Sequence, residues 1–553
     1  MPTMDDARRT LKQLFGYDDF RRGQVDVVAA VISGRDTLGV LPTGGGKSLC
    51  YQVPALVREG MAIVISPLIS LMKDQVDRLQ RLGVSATFLN STIAAEEVAS
   101  RLRAVREGRI KLLYVAPERF EAQDLAGVLS DADVSLLAVD EAHCISEWGH
   151  EFRPSFRRIA DVAERLRIPQ TMALTATATP RVREDITRQL RLKSPATIIG
   201  GFDRTNLSYA VEQCADEEAK NAAIVRILRT RENPAIVYAP TRAAVERVTR
   251  VITRAGLRAL PYHGGFDDGH RQEVQDAFIS GTVNWMVATN AFGMGIDKPN
   301  VRLVVHYAMP STLEAYYQEA GRAGRDGAHG HCILLHAPSD RDTHEYFINN
   351  IFPSRAAVEG VFATLARSGE GPLPETGARG VASALRILME AGVVERRAPK
   401  RGKVHVRLLA TPGRIGRELT DPSHARDLDV LRALWRAGIG RADTGCEVRL
   451  RDLPVDGGPA ARSMLEQLQA RQFVQVRELG GGLYFTRPGA PLDAFRIDWM
   501  RMARRAASER AKLDSVEGYT ATRSCRRAYV LRYFGERGTP SRCDGCDNCH
   551  GGV

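Results

Sequence analysis

The stretch LPTGGGKSLCYQ, residues 41–52, decides the fold class of this chain. It departs from the usual phosphate-binding pattern, G-x-x-x-x-G-K-[ST], because Leu41 occupies the position of the first glycine. That position ends a strand and does not touch phosphate closely, so the departure leaves the chemistry intact. The apolar run DTLGVL (36–41) precedes the loop, and the helical pattern SLCYQVPALV follows it. Strand, glycine turn and helix form the setting that a phosphate loop requires.

The backbone N–H groups and two side chains of such a loop hold a nucleoside triphosphate. The turn formed by Gly44, Gly45 and Gly46 permits close approach of the phosphates. Lys47 is expected to reach the β- and γ-phosphates, and Ser48 to ligate Mg²⁺. Since glycines also precede lysines outside nucleotide sites, this interpretation needs a partner motif.

The partner motif is LLAVDEAH, residues 136–143, an apolar strand pattern that ends in two carboxylates. Asp140 is placed to hold Mg²⁺, and Glu141 to orient or deprotonate the attacking water. An Asp-Glu pair on a solvated turn is the alternative. Both motifs together, in this order on two strands, favour a nucleotide hydrolase.

A glycine-rich turn, QEAGRAGRDG at 318–327, supplies the positive charge that phosphoryl transfer requires. Arg322 and Arg325 are the candidates for stabilising the γ-phosphoryl group. In isolation this would be an ordinary surface turn. Because it lies far along the chain from the phosphate loop, the pair predicts a site that is completed when two domains close.

The composition is that of a globular protein with several domains, since the 553 residues are 44% hydrophobic and 26% charged. No apolar run approaches the ~20 residues of a membrane span, and MPTMDDARRT lacks a signal-peptide segment. We therefore expect a cytosolic protein without a membrane partner. The net charge of +11 suits a nucleic acid partner. An arginine-biased genome is the alternative, since only 10 of the 77 basic residues are lysine.

Short apolar runs alternate with helical patterns from about 35 to 200 and again from about 207 to 337, which predicts two parallel α/β domains. The boundary is expected near IGGFDRTN (199–206). The predicted strands are AIVIS (62–66), KLLYVA (111–116), SLLAVD (135–140), TMALTAT (171–177), AIVYA (235–239), NWMVAT (284–289), RLVVHY (302–307) and CILLHA (332–337).

After about residue 345 the sequence contains two similar segments, referred to below as the internal echo. SALRILMEAGVVERR begins at Ser383, SMLEQLQARQFVQVR begins at Ser463, and each leads into an alternating run and Pro-Gly. A helix followed by its own two-stranded hairpin is the end of a winged helix, so we predict two winged-helix-like modules, at 350–420 and 425–491. Two helix-hairpin units can also look alike by chance. Such modules could bind DNA or only pack.

Four of the nine cysteines lie close to one another in sequence: Cys525, Cys543, Cys546 and Cys549. The other five are interpreted as core or incidental thiols, reduced in the cytosol. Four thiolates at this spacing can close a tetrahedral, structural Zn²⁺ site. A redox Cys-x-x-Cys pair is the competitor, but a third cysteine at the same interval argues against it.

The ordered set of motifs resembles the ATPase core of superfamily 2 helicases, and specifically the RecQ family. The matching stretches are LFGYDDFRRGQ (14–24, motif 0), PTGGGKSLCYQ (motif I, whose RecQ form itself lacks the first glycine), SPLISLMKDQV (66–76, Ia), VAPER (115–119, Ib), DEAHCISEWGHEFRPSF (140–156, motif II and an aromatic-rich loop), LTATATP (174–180, III), YAPTR (238–242, IV), ATNAFGMGIDKPNVRLVVH (288–306, V) and 318–327 (VI). The tail, CRRAYVLRYFGE and CDGCDNC, resembles the RecQ zinc module.

The resemblance extends the nucleotide site beyond the loop itself. It implies that Arg21 and Gln24 read the adenine, that Thr43 belongs to the phosphate loop, and that Asp297 contacts the ribose.

The resemblance also implies residues that couple single-stranded DNA to hydrolysis: Trp148, His150, Phe152 and Arg153, with Thr289 near the DNA backbone. Aromatic rings stack on bases and arginine pairs with phosphate. Core packing of Trp148 and Phe152 is the alternative.

The expected fold class is therefore α/β, with two tandem RecA-like parallel-sheet domains, winged-helix-like modules and a C-terminal tetracysteine zinc module. The predicted bounds are 1–200 for the ATP-binding domain, 201–345 for the helicase C-terminal domain, 350–420 and 425–491 for the two modules, and 492–553 for the helical zinc-binding module. The expected cofactors are ATP, Mg²⁺ and Zn²⁺.

The expected function is a DNA-dependent ATPase that moves 3′ to 5′ on single-stranded DNA, a RecQ-like helicase of DNA repair and recombination. Its expected partners are single-stranded and tailed duplex DNA, and it is expected to be a monomer associated with the nucleoid in the cytoplasm. The family's usual winged helix follows the zinc module and is missing from that place. Translocation is therefore the expected activity, and duplex unwinding depends on whether the inserted modules substitute for that winged helix. An RNA helicase, and a DNA-binding regulator with a dormant ATPase, remain alternatives.

Overall fold

The computed structural model describes residues 2–550 except 43, 123–124, 150–151, 232, 294–297, 368–380, 398–401, 438–444, 456 and 479–481. The chain divides into two compact units. The first comprises Met1–Glu345 and Ala507–Val553, and the second comprises Tyr346–Ala506. Among the described residues, no helix has the length and apolar character that crossing a membrane requires.

The strands of the first unit are β1 Thr37–Val40, β2 Met61–Ile65, β3 Ala86–Leu89, β4 Leu112–Val115, β5 Val134–Val139, β6 Thr171–Thr175, β7 Ala196–Ile199, β8 Leu207–Gln213, β9 Ala235–Tyr238, β10 Ala259–Tyr262, β11 Trp285–Ala288, β12 Leu303–His306 and β13 Gly330–His336. Its first helices are α1 Met4–Thr10, α2 Gln24–Ile32, α3 Leu49–Val57, α4 Ile69–Arg81, α5 Ala95–Arg106, α6 Arg119–Ala122, α7 Leu125–Val128, α8 Ile159–Arg165 and α9 Pro180–Gln189. They are followed by α10 Glu217–Thr230, α11 Arg242–Arg254, α12 Asp268–Ile279, α13 Leu313–Ala320 and α14 Asp340–Ile351.

Strands β1 to β7 form a sheet in the order β3-β4-β2-β5-β6-β1-β7, and every pairing in it is parallel. The central strands are buried along their whole length because helices cover both faces, as the continuous apolar runs predict. Parallel strands all end at one edge, so the loop after β1 and the acidic pair after β5 lie at the same edge.

Strands β8 to β13 form a second parallel sheet, in the order β10-β11-β9-β12-β13-β8. Its core is built from aliphatic residues of the central strands and of α10 and α11. The eight strands that the sequence predicted are present in the two sheets. The two tandem parallel-sheet domains are therefore confirmed, and the second sheet carries the arginine turn after α13.

The second unit contains α15 Arg355–Ala366, α16 Val381–Glu390, β14 Val394–Arg397, β15 Lys403–Leu408, α17 Pro412–Glu418, α18 Ala425–Ala437, β16 Cys446–Arg449, α19 Gly458–Ala470, β17 Val474–Glu478 and β18 Gly482–Phe485. The last helices of the chain are α20 Trp499–Ala521, α21 Arg526–Tyr533 and α22 Asp547–His550. Helices α16 and α19, with a strand after each, confirm the elements that the internal echo predicted.

The predicted pairing of those strands is wrong. Each helix was expected to lead into its own hairpin, but β14 pairs with β18, and β15 pairs with β16 and β17. The reason lies in the cores. Val394 packs with α15 and α16 in one apolar cluster, whereas Val404 and Val406 pack with α18 and α19 in another. Each strand pairs within the core that buries its apolar residues, so proximity in sequence does not determine its partner.

Candidate functional site

The phosphate loop is a tightly wound turn between β1 and α3. Gly44 and Gly46 adopt φ angles of 77° and 68°, a left-handed backbone that glycine adopts without strain. The Gly45 amide donates to the Pro42 carbonyl at 2.9 Å. A Cβ at Gly45 would approach the same carbonyl oxygen to 2.8 Å, so the turn has no room for a side chain there. The backbone conformation of the loop therefore favours glycine at all three positions, in addition to the access that glycine gives to phosphate.

Arg21 and Gln24 contact this loop directly. The Arg21 guanidinium donates to the Gly44 carbonyl at 2.9 Å. The Gln24 side-chain amide donates to the carbonyls of Gly45 and Gly46 at 2.8 and 3.0 Å, and its oxygen accepts from the Arg21 amide at 2.8 Å. The two residues predicted to read adenine thus lie beside the phosphate loop and hold its backbone in this arrangement.

The acidic pair follows β5. The Asp140 side chain is nearly buried, and its amide donates to the Ile65 carbonyl at 2.8 Å. Burial, and then the neighbouring charge of Glu141, raise the pKa of Asp140 to about 7, while Lys47 opposes the rise. A bound Mg²⁺ favours the ionised carboxylate for the same reason that Lys47 does. Asp140 therefore fits a magnesium ligand, and Ser48, at the start of α3, is the second candidate.

A relay of side chains runs from the acidic pair to α13. His143 Nδ1 lies 3.3 Å from Glu141 Oε2 and 2.9 Å from Thr175 Oγ1. The Thr175 hydroxyl donates to the Thr177 carbonyl at 3.1 Å, and the Gln318 amide donates to the Thr177 hydroxyl at 3.1 Å. The relay connects the first sheet to the helix that precedes the arginine turn. None of these linking side chains was predicted from the sequence to have a role, although His143 is the last residue of the DEAH motif at 140–143.

Arg325 of the second sheet domain lies against the phosphate loop of the first. A Cβ placed on Gly44 would be 3.5 Å from Arg325 Cγ and 3.8 Å from its Cδ, which is ordinary contact distance. Arg322 is nearly buried, and its guanidinium donates to the carbonyl of Gly293, after β11. The turn therefore brings one arginine to the loop and anchors the other in its own domain.

Arg204 and Asn206, in the connector between the two sheets, hold the arginine turn. The Arg204 guanidinium donates to the carbonyls of Gly321, Ala323 and Gly324 at 3.1 to 3.2 Å. The Asn206 amide donates to the Gly324 carbonyl at 2.8 Å. Because four hydrogen bonds converge on one short turn, its backbone is fixed relative to the connector.

The connector is held in turn by Arg527 of α21. Its guanidinium lies 2.6 Å from Asp203 Oδ1 and donates to the carbonyls of Arg204 and Leu207 at 2.8 and 2.6 Å. Phe534 stacks on Phe202 of the connector, with ring centroids 4.4 Å apart. The C-terminal helices therefore brace the connector between the two sheets.

The four cysteines come together in space. Their sulfur atoms all lie within 4.8 Å of one another, compatible with the ~3.8 Å separation of sulfurs around a tetrahedral Zn²⁺. Cys525 and Cys546 are buried, and backbone amides of Ala528 and Cys543 donate to Cys525 and Cys549 sulfurs at 3.5 and 3.4 Å. Burial raises the pKa of the Cys525 thiol to about 12, so metal binding has to displace its proton. The donor set fits a structural zinc site.

The zinc module pairs with the edge of the second sheet. The Tyr209 amide of β8 donates to the Gly545 carbonyl at 2.8 Å, and the Val211 amide donates to the Asp547 carboxylate at 2.9 Å. Gly545 and Asp547 flank Cys546. The cysteine cluster is thus joined to an edge strand whose backbone would otherwise be open.

The aromatic-rich loop is only partly buried. Trp148 and Phe152 have intermediate exposure, so neither ring belongs to a closed core. The Arg181 guanidinium lies 3.3 Å from the Trp148 ring centroid, and Arg153 donates to the Pro67 carbonyl at 3.0 Å. The face of the Trp148 ring that the Arg181 guanidinium covers is also the kind of surface on which a nucleic acid base can stack.

Lys512 of α20 contacts the same loop. Its ammonium group is nearly buried and donates to the Gly149 carbonyl at 3.0 Å and to Glu509 at 2.7 Å. The C-terminal helices therefore touch the loop that the sequence assigned to DNA sensing. No feature of the sequence pointed to this contact.

The remaining predicted site residues are Thr43, His150, Asp297 and Thr289. The first three lie outside the described residues. Thr289 follows β11 and is nearly buried, and its hydroxyl accepts from the Ala291 amide at 3.3 Å.

Comparison with protein families identifies the class of this chain. The DEAD/DEAH box helicase family matches residues 21–186, and the helicase conserved C-terminal domain matches 219–327. These two segments contain the phosphate loop and the arginine turn, so the pair of sheets is a helicase core. The RecQ zinc-binding family matches residues 491–550, which contain the four cysteines.

The relatives narrow the class to one family. The chain is 46% identical over 350 residues to the ATP-dependent DNA helicase RecQ of Bacillus subtilis, covering 62% of this chain and 58% of the relative. It is 39% identical over 369 residues to the "Probable ATP-dependent DNA helicase RecS" of the same organism, covering 66% and 74%. The RecQ helicase of Pasteurella multocida is 43% identical over 340 residues, covering 62% and 54%. The chain belongs to the RecQ family of superfamily 2 DNA helicases. It spans little more than half the length of the RecQ relatives it matches.

Solved structures show the same architecture. The DUF1998 helicase MrfA bound to DNA has a TM-score of 0.52 at 20% identity, covering 72% of this chain and 59% of that one. Mss116p bound to ssRNA and AMP-PNP has a TM-score of 0.51 at 17% identity, covering 61% and 73%. At these identities the likeness establishes the fold.

Proposed function

We propose that this protein is a DNA-dependent ATPase that translocates 3′ to 5′ on single-stranded DNA. The observation that carries the proposal is the contact of Arg325, from the second sheet domain, with Gly44 of the phosphate loop on the first. A triphosphate held by the loop meets cationic groups of both domains only while the domains stay close. Binding and hydrolysis can therefore bias domain closure, and alternating closure is the basis of stepping.

In this proposal the loop residues hold the nucleotide and the arginines stabilise the charge that develops on the γ-phosphoryl group. Glu141 orients or deprotonates the attacking water, and the Glu141 to Gln318 relay couples that step to the arginine turn. The nucleotide-binding set is Arg21, Gln24, Thr43, Gly44, Gly45, Gly46, Lys47, Ser48 and Asp297; Asp140 and Ser48 hold Mg²⁺; Arg322 and Arg325 act on the phosphoryl group.

The proposed DNA-coupling set is Trp148, His150, Phe152, Arg153 and Thr289. The partial exposure of Trp148 and Phe152 supports stacking on bases, since a ring must be accessible to a base before it can stack. Cys525, Cys543, Cys546 and Cys549 hold a structural Zn²⁺, which keeps the C-terminal helices on the connector between the sheets.

We infer the following domain roles: 1–200 binds ATP, 201–345 completes the site, and 492–553 is the zinc module. The segments 350–420 and 425–491, which exchange β15 and β18 across their predicted boundary, have an accessory role. The proposed partners are single-stranded and tailed duplex DNA, bound by a monomer associated with the nucleoid. Unwinding of a duplex is a further proposal, which the second experiment below tests separately from translocation.

The first experiment measures ATP hydrolysis with and without a single-stranded DNA oligonucleotide, and with an RNA oligonucleotide of the same sequence. We expect DNA to stimulate hydrolysis and RNA to do so much less. Lys47→Ala removes the phosphate-loop cation and is the negative control, in which hydrolysis is lost. Equal stimulation by RNA, or hydrolysis that persists in Lys47→Ala, contradicts the proposal.

The second experiment follows strand displacement from a 3′-tailed and a 5′-tailed duplex of the same sequence. Translocation 3′ to 5′ predicts displacement from the 3′-tailed substrate alone. Hydrolysis without displacement would restrict the function to translocation. Displacement from the 5′-tailed duplex alone would reverse the assigned polarity.

A further inference from the structure

The positive charge of this chain is concentrated outside the helicase core. Residues 346–506 contain 26 Lys and Arg against 17 Asp and Glu, a net of +9. The rest of the chain contains 51 against 49, a net of +2, and so accounts for little of the total of +11. An arginine-biased genome would spread the excess over both units. The distribution therefore points to a polyanion that the second unit contacts.

One face of the β16-β15-β17 sheet presents part of this charge to solvent. Because side chains alternate along a strand, Val404 and Val406 of β15 and Val448 of β16 point into the apolar core. Among the residues whose side chains the structure describes, the opposite face, the basic sheet face, holds Lys403, His405, Arg407, Glu447, Arg449 and Gln475. These described side chains include three permanent cations and one carboxylate.

The arrangement of these cations disfavours a purely structural role. Lys403 lies directly opposite Arg449 in the antiparallel register, and like charges at opposed positions destabilise a sheet. In the part of the chain that the structure describes, neither of these residues nor Arg407 has a carboxylate at ion-pair distance. By contrast, Arg355, whose Nε lies 2.6 Å from Glu359, is typical of the ion-paired arginines elsewhere in the unit. Adjacent, uncompensated cations are what an anionic ligand would stabilise.

We propose that the basic sheet face binds the phosphodiester backbone of duplex DNA. The face carries no Phe, Tyr or Trp, so it offers no platform on which the bases of a single strand could stack. Cations on a broad, flat surface suit the regular phosphate rows of a duplex. This contact is separate from the nucleotide site and rests on the proposed function only in taking DNA as the substrate.

The test uses the 553-residue chain carrying K403Q, R407Q and R449Q together. All three side chains point away from the core, so the fold should persist, and a thermal unfolding curve checks this. Fluorescence anisotropy with a blunt labelled duplex, without nucleotide, gives the dissociation constant across a salt series. Each lost phosphate contact lowers the slope of log affinity against log salt by about 0.9, so three contacts predict a change of ~2.7. Between ~50 and 200 mM salt, the wild type should therefore lose about 40-fold more affinity than the variant.

A matched control removes the same charge elsewhere in the unit. R355Q, R414Q and R432Q together eliminate three arginines, each paired with a carboxylate: Glu359 at 2.6 Å, Glu418 at 2.8 Å and Asp429 at 3.2 Å. We expect this variant to keep nearly the whole salt slope for duplex DNA. The charge-conserving variant K403R/R407K/R449K should also keep it, because phosphate contacts of this kind require charge and no particular donor geometry.

Three results would overturn the inference: an unchanged slope in the K403Q/R407Q/R449Q protein, an equal loss in the matched control, or a loss confined to single-stranded DNA. ATP hydrolysis stimulated by single-stranded DNA is measured in the same proteins. In the K403Q/R407Q/R449Q protein it is expected to stay within about threefold of wild type, because the basic sheet face is separate from the nucleotide site. Hydrolysis that is absent from every protein, including the wild type, would refute the proposed function. An unchanged salt slope with normal hydrolysis refutes the duplex contact alone.

Discussion

Replacing Arg325 by alanine removes the side chain that the second sheet domain places on the phosphate loop. An arginine in this role contributes about 10³ to 10⁵ in kcat. That factor corresponds to about 4 to 7 kcal/mol of transition-state stabilisation. The structure argues against rescue by Arg322, because the guanidinium of Arg322 is nearly buried and hydrogen-bonded to the Gly293 carbonyl. We therefore expect kcat to fall at least ~10³-fold in Arg325→Ala. Arg325→Lys should recover little, since an ammonium group cannot reproduce the planar guanidinium fork.

The assay is DNA-stimulated ATP hydrolysis under saturating single-stranded DNA, with kcat and KM determined separately. KM should change much less than kcat, because the lost interaction forms fully only in the transition state. Arg250→Ala, which removes an exposed arginine from α11 of the same domain, is the matched control and should keep wild-type rates. An Arg325→Ala protein that retains kcat within about threefold of wild type would refute the reasoning, because removal of an arginine that stabilises the transferring phosphoryl group lowers kcat far more than that.

Three further predictions concern the C-terminal module and its contacts. Cys546→Ser should lose the bound metal and melt at a lower temperature, because a buried ligand of a structural site is removed; stoichiometric zinc with an unchanged melting curve would contradict the assignment. Lys512→Met breaks the hydrogen bond to the Gly149 carbonyl. The ratio of the hydrolysis rate without DNA to the rate with DNA should rise by about 10-fold, which corresponds to the smallest free energy typical of a hydrogen bond to a charged group. An unchanged ratio would show that this contact has only a packing role. Burial raises the pKa of Glu314 above its ordinary 4.5, so the stability that this group contributes is present below pH 4.5 and is lost as pH rises through its folded-state pKa. Glu314→Gln should therefore gain stability relative to wild type as pH rises from 4.5, and a difference in melting temperature that does not vary with pH would contradict this.

The nucleotide site was largely predictable because its chemistry is local in sequence. The stretch around Lys47 contains the strand end, the glycine turn and the helix start, and the stretch around Asp140 contains a strand and its two carboxylates. Parallel strands end at one edge, so two such stretches had to meet. Arg325 was predictable as a partner because a phosphate hydrolase also needs an arginine near the γ-phosphoryl group, and neither stretch contains one.

Strand partners in the second unit were not predictable from the echo between α16 and α19. Local periodicity identifies a strand and its buried face, but the partner is chosen by which core its apolar residues fill. Val394 and Val404 are close in sequence and belong to different cores. The exchange of β15 and β18 between the two predicted modules follows from that choice.

Side-chain contacts between residues far apart in sequence could not be predicted either. Gln318 reaches Thr177, Arg527 reaches the connector at Asp203, and Lys512 reaches Gly149. Each is a common residue type without a distinctive neighbourhood in sequence. Their partners are backbone carbonyls, a hydroxyl and a carboxylate, which every chain offers in large numbers. Only the fold decides which of them meet.

The most direct test of the central claim compares the affinity of the protein for ADP with its affinity for ADP and aluminium fluoride, which mimics the transferring phosphoryl group. If both sheet domains grip that group, the wild type binds the mimic more tightly than ADP. Arg325→Ala should then lose this preference and keep its affinity for ADP. A variant that still prefers the mimic as strongly as wild type would show that the second domain does not complete the site.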